Sequence, residues 1–177
     1  RVLFRSPRAA LGQLAGALIG ILETSGVLRE AAGEVDEATS TLAALADTLG
    51  PGAPTSVNPA KRVASWIGDR VPLVWGATGP AAVAADRWRT QMNENAKVPA
   101  FSASMSELDH NEIVGWHGDG GRRFAIVALR VEGEGDDLDA RYAFTAEVAR
   151  AAGSIVEEVW ATGDGRLARL LSLASIG

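Results

Sequence analysis

The chain contains no cysteine and only two histidines, His110 and His117, among its 177 residues. A disulfide framework, a cysteine-bound zinc and thiol catalysis are therefore excluded, and a histidine-rich metal site with them. A metal held mainly by carboxylates is compatible with the composition, but no ligand-spacing motif points to one. Basic charge is not in excess either: the formal net charge is −5 at pH 7. That balance disfavours nucleic acid and anionic membrane as partners, while leaving room for a small anion in a locally positive pocket. No apolar run is long enough to span a bilayer. The best candidate, Leu11 to Leu22, is short, is interrupted by Gly and Gln, and lacks a secretory cleavage pattern. A cytoplasmic protein is the expectation. There is no GxGxxG for a dinucleotide, no GxxxxGKS/T for a nucleotide phosphate, and no serine in a nucleophile elbow.

What is present suits one domain. Hydrophobic residues make up 47% and charged residues 22%, which excludes a disordered chain and supplies a sizeable core. The ends are unusual. The chain opens on Arg1 instead of Met, and Arg1-Val2-Leu3-Phe4-Arg5-Ser6 reads like translated sequencing adapter, so residues 1–6 are set aside as non-native. The last helical pattern stops at Ile176-Gly177, and truncation at both ends is expected.

Helical spacing of Leu11, Leu14, Leu18 and Leu22 predicts an apolar helix over Arg8–Glu23, its Ala and Gly suggesting close packing on another element. A second helix is expected over Val35–Leu49, and Gly50-Pro51-Gly52-Ala53-Pro54 is a loop. Asn58-Pro59 opens a third helix, with Asn as N-cap and Pro at the first helical position. From Val71 the pattern changes. Strands are predicted at Val71–Gly76, Pro99–Ala103, Arg123–Val131 and Ser154–Ala161, the last near an edge because Glu157-Glu158 interrupts it. Helices are predicted over Pro80–Asn93, Glu107–Gly115 (short), Leu138–Ala152 and from Gly163 to at least Ala174. This alternation implies an α/β fold, a three-layer αβα sandwich with a parallel sheet, its long N-terminal helices covering one face or pairing with another subunit.

The chemistry-bearing residues concentrate between Trp88 and Trp116. Asn93-Glu94-Asn95 places a carboxylate between two amides, which can fix its direction without neutralising it, and Lys97 can support the same region electrostatically. An Asn-rich stretch after a helix is most often only a C-cap and turn, and on the residues alone that reading leads. His110 in isolation reads as a capping or core histidine, and His117 as a solvated loop residue. The Ala77-Thr78-Gly79-Pro80 turn joins a strand to a helix N-terminus and can offer backbone N–H groups to a phosphate, although most such turns bind nothing. The five tryptophans read as core or interface residues.

Asn93-Glu94-Asn95-Ala96-Lys97-Val98-Pro99-Ala100-Phe101, followed by Glu107-Leu108-Asp109-His110-Asn111-Glu112-Ile113-Val114-Gly115, resembles the signature of the bifunctional phosphoglucose/phosphomannose isomerase family. Pro7-Arg8-Ala9, Asn58-Pro59-Ala60-Lys61 and Gly165–Gly177 are similar to further family segments, so the resemblance covers nearly everything after Ser6. It implies a sugar isomerase (SIS) fold of flavodoxin-like type, with residues 7–177 as the second of two SIS domains, incomplete at its C-terminus. It also implies a homodimer, a sugar-phosphate substrate, and a metal-independent isomerase without cofactor. Glu94 matches the family's base. His110 matches a ring-opening histidine reached across the dimer interface, and Arg8 an arginine near the reacting carbons. Asn93, Asn95, Lys97 and Thr78 are the expected substrate-binding residues. The phosphate loop belongs to the first SIS domain, so this chain alone is expected to be inactive. Ser102-Ala103-Ser104-Met105-Ser106 departs from the bulkier family segment. A sugar-phosphate sensor without a base is the alternative, and a plain α/β dimerisation domain a third reading.

Overall fold

Four apolar runs separated by helical segments form one parallel sheet in the computed structural model, which describes residues 10–177. β1 (Val71–Gly76), β2 (Phe101–Ser104), β3 (Phe124–Arg130) and β4 (Ile155–Trp160) stand in the order β2-β1-β3-β4. The helices are α1 (Leu11–Thr24), α2 (Ala31–Leu49), α3 (Pro59–Ile67), α4 (Gly79–Gln91), α5 (Met105–Leu108), α6 (Asp136–Ala151) and α7 (Arg166–Ile176). Strand periodicity sends alternate side chains to opposite faces. Val74, Val127 and Leu129 meet α3, α4 and α7 through Val63, Ile67, Trp88 and Leu173. Leu73, Trp75 and Ile126 meet α5 and α6 through Met105, Leu108 and Tyr142. The three layers expected from the alternation are thus present, and α2 packs outside them on α7.

β3 is central, with neighbours on both edges and helices on both faces. Ala125–Leu129 are accordingly 2% exposed or less, and the segment reads as an unbroken apolar run. β4 is an edge, as its interrupted pattern suggested. Trp160 there is half exposed, and the buried Arg130 guanidinium lies 4.6 Å from its ring and 4.2 Å from that of Tyr142. Arg130 also bonds Glu158 and Asp139. Asn58 caps α3 as expected, accepting from Lys61 N at 3.0 Å with Pro59 in the first turn.

Several boundaries differ from the sequence reading. α2 starts four residues before Val35, at Ala31, behind Glu30 in left-handed backbone (φ 57°). β2 begins at Phe101 and not Pro99, because Pro99 has no N–H and that of Ala100 is taken by a side chain described below. The helix expected over Glu107–Gly115 breaks into α5 and a 3₁₀ turn, Glu112–Gly115. Between them Asp109 is held by α6, accepting from Thr145 Oγ1 at 2.6 Å and pairing with Arg141 at 3.2 Å. α1 differs in packing. None of its residues is buried, and Leu14, Leu18 and Ile21 are each more than half exposed.

Candidate functional site

The segment richest in chemistry lies where α4 hands the chain to β2. α4 is anchored by Trp88, which is 1% exposed and whose Nε1 donates to Leu173 O of α7 at 2.7 Å. After Gln91 the helix widens into a π turn, Met92–Ala96, in place of the α-helical run to Asn93 expected from the sequence. Such single π turns mark functional positions in many helices, since they rotate a side chain out of the α frame. Lys97 closes the turn in left-handed backbone (φ 61°), a conformation that a non-glycine residue holds only when its surroundings fix it.

Glu94 is exposed at the crown of this turn. Asn93, immediately before it, reaches across the loop to Ala100. Its Oδ1 accepts from Ala100 N at 2.8 Å and its Nδ2 donates to Ala100 O at 3.4 Å. Lys97 Nζ donates to the backbone carbonyl of Glu94 at 2.6 Å. The side chain of Asn95 pairs with that of Gln91, one turn earlier. Gln91 was not singled out in the sequence; its i, i+4 spacing from Asn95 was the available signal. Met92, Ala96 and Val98 form one wall of an apolar cleft of about 450 Å³ completed by Trp88, Ile67 and Ile176.

The other expected site residues lie apart from this turn. Thr78 precedes α4 at the carboxyl end of β1, whereas Glu94 follows α4 at the amino end of β2. With 13 residues in α4, the helical rise separates them by about 20 Å. Thr78 makes no side-chain cap, and Pro80 removes one N–H from any phosphate cradle there. His110 follows α5 on the opposite face of the sheet from α4, exposed, its N–H donating to Glu107 O at 3.1 Å. One chain therefore does not bring Glu94 and His110 together. Arg8 lies outside the described residues.

At the carboxyl edge of the sheet the N-termini of α7 and α6 carry the protein's own carboxylates, whereas α4 has none in its first turn. Glu37 of α2 accepts from Asp164 N at 2.6 Å and Gly165 N at 2.9 Å, and Glu34 from Leu167 N at 3.1 Å. The two backbone bonds, Gly165 first, hold the Glu37 carboxyl below its ordinary value. The first turn of α6 carries Asp136, Asp137 and Asp139. Burial pushes the neighbouring Glu134 up, against the pull of its Val131 N–H bond and Arg130. Ends so occupied have little positive potential left for a phosphate. Among the described residues no group of three His, Asp or Glu side chains could hold a metal ion, and no helix is long and apolar enough to cross a membrane.

The parallel sheet in this order, covered on both faces, defines a three-layer α/β domain with an Asn-Glu-Asn turn at the amino end of β2. Comparison makes the assignment specific. The profile of the bacterial phospho-glucose isomerase C-terminal SIS domain matches residues 56–177, and the chain belongs to that family. The bifunctional phosphoglucose/phosphomannose isomerase of Caldicellulosiruptor bescii is 32% identical over 173 residues, 97% of this chain and 51% of that protein. The D-glucosamine-6-phosphate 4-epimerase of Sulfolobus acidocaldarius is 32% identical over 68 residues, 38% of this chain and 22% of that protein. Among solved structures, a glucose-6-phosphate isomerase-like protein from Thermus thermophilus superposes with a TM-score of 0.67 at 26% identity, covering 80% of this chain and 48% of the other. The chain thus spans about half the length of the Caldicellulosiruptor relative.

Proposed function

We propose that the chain is the second SIS half of a sugar-phosphate aldose–ketose isomerase that converts glucose 6-phosphate, mannose 6-phosphate or both to fructose 6-phosphate, with Glu94 as the base. The Glu94 carboxylate takes the proton from C2 of the open-chain aldose, an enediol forms, and the same group returns the proton to C1. A single carboxylate serves both epimers because the enediol has lost the configuration at C2. The observation that carries this reading is the π turn. In a chain of this family, it presents the matching glutamate on a backbone fixed by Asn93 and Lys97.

His110 opens the sugar ring, and its place on the other face of the sheet fits action on a partner's site in a homodimer. Arg8 stabilises the enediolate oxygens. Asn95, Lys97 and Thr78 stand as substrate contacts, Thr78 the most distant. The carboxylates at the N-termini of α6 and α7 favour a substrate phosphate held by the other SIS half. The enzyme works in the cytoplasm without a metal.

The test is Glu94→Gln in the full-length protein, assayed for fructose 6-phosphate formation from both aldoses. Turnover should fall by roughly 10²- to 10⁴-fold, the usual share of a general base, while sugar phosphate still binds. A wild type that binds sugar phosphate and turns none over would favour a sensor.

A further inference from the structure

We infer that Asn93 is a positioning residue for Glu94 and not a substrate contact, an inference that rests on the isomerase reading above. Both functional atoms of its amide are engaged by one backbone unit, that of Ala100. One N–H and one lone pair of the amide remain, but its orientation is set by the Ala100 backbone and not by a ligand. The contact spans seven residues and closes the loop from the π turn to the sheet. Ala100 is 4% exposed and directly precedes β2, so the clamp ties the residue before Glu94 to the strand paired with β1.

The need for such a tie follows from the turn. A π turn is wider than the α-helical alternative, and relaxation to α geometry would swing Glu94 about the helix axis. The backbone resists this through the N–H groups of Lys97 and Val98, both donating to Met92 O (the second at 3.4 Å), with Lys97 in left-handed backbone. Lys97 Nζ holds the Glu94 carbonyl from the other side. Glu94 is therefore fixed through its neighbour's side chain and its own carbonyl. Proton abstraction from carbon depends steeply on the base's position, so loosening this clamp should cost rate before binding.

The experiment is Asn93→Ala in the full-length enzyme, with steady-state kinetics and the affinity for a hexitol 6-phosphate, which carries the phosphate and hydroxyls but cannot isomerise. The expected result is a kcat lower by roughly 10- to 100-fold, the effect of displacing a reacting group by about 1 Å, with KM and hexitol phosphate affinity unchanged. Asn93→Asp keeps an acceptor for the Ala100 N–H and should fall between wild type and Asn93→Ala, which also guards against a poorly folding alanine variant. A rise in KM with weaker hexitol phosphate binding would overturn the inference in favour of a substrate contact. A lower Tm with kcat per folded molecule unchanged would overturn it in favour of a purely structural role. An active wild type with an unaffected Asn93→Ala sinks this inference alone. A wild type that binds the hexitol phosphate but has no turnover sinks the isomerase reading and this inference together.

Discussion

Glu37 sits on α2 with its carboxylate accepting from two backbone N–H groups ahead of α7, and Glu134 sits beside Arg130 with its charge disfavoured by burial. The two contribute to stability with opposite pH dependence. For Glu37 the folded pKa lies below the ordinary 4.5, so as pH falls the unfolded chain takes up its proton first. Its contribution is present above that ordinary value and is lost as pH falls through the folded one. Glu134 has a raised pKa, so the folded state gains stability on acidification. Replacing Glu37 by Gln should therefore lower the urea midpoint at pH 7 and flatten its decline below pH 4.5. Equal acid slopes in wild type and variant would show that the helix-end contact is not the titrating one. At this scale the sequence was legible in residue type alone. Glu94 stood out between two amides, but nothing local announced that Asn93 would bond Ala100 or that Glu37 would cap a helix more than a hundred residues on. Those partners are chosen by the packing of α2 on α7 and by the return of the chain from the π turn to Ala100.

α4 is the element that connects core and site. Its inner face is small, with Ala81, Ala84 and Ala85 buried against β1, and Trp88 closes its last turns on α7. Trp88→Phe keeps an aromatic ring but leaves a small cavity and removes the donor to Leu173 O. Chemical denaturation should register a loss of about 2 kcal/mol, the sum of a modest buried hydrogen bond and an incompletely filled space. A neutral substitution would mean that α4 and α7 are held by the alanine face alone. The helices and strands themselves were readable from their periods, because a 3.6-residue or 2-residue repeat survives whenever one face is buried. The π turn and the break at Asp109–His110–Asn111 were not. Each follows from a tertiary bond, Asn93 to Ala100 in one case and Asp109 to Thr145 in the other, that overrides local helical preference.

At the scale of the whole molecule, the chain is about half as long as its Caldicellulosiruptor relative, and two features of its surface bear on the proposed two-domain reading. α1 presents Leu14, Leu18 and Ile21 to solvent, and the N-termini of α6 and α7 at the carboxyl edge are occupied by carboxylates. On the proposed two-domain reading, the 177-residue chain assayed alone should show no isomerase turnover and the full-length protein should show it; robust turnover by the chain alone would overturn that reading. The sequence by itself determined the exclusions, the succession of helices and parallel strands, and the motif that ties the chain to its family, because composition, hydrophobic period and residue order are local properties. Only the tertiary structure decided the strand order, the placing of Thr78 and Glu94 at opposite ends of α4, and the separation of Glu94 from His110 by the sheet. Which residues meet across a folded domain depends on how its layers pack, and packing is a property of the whole chain.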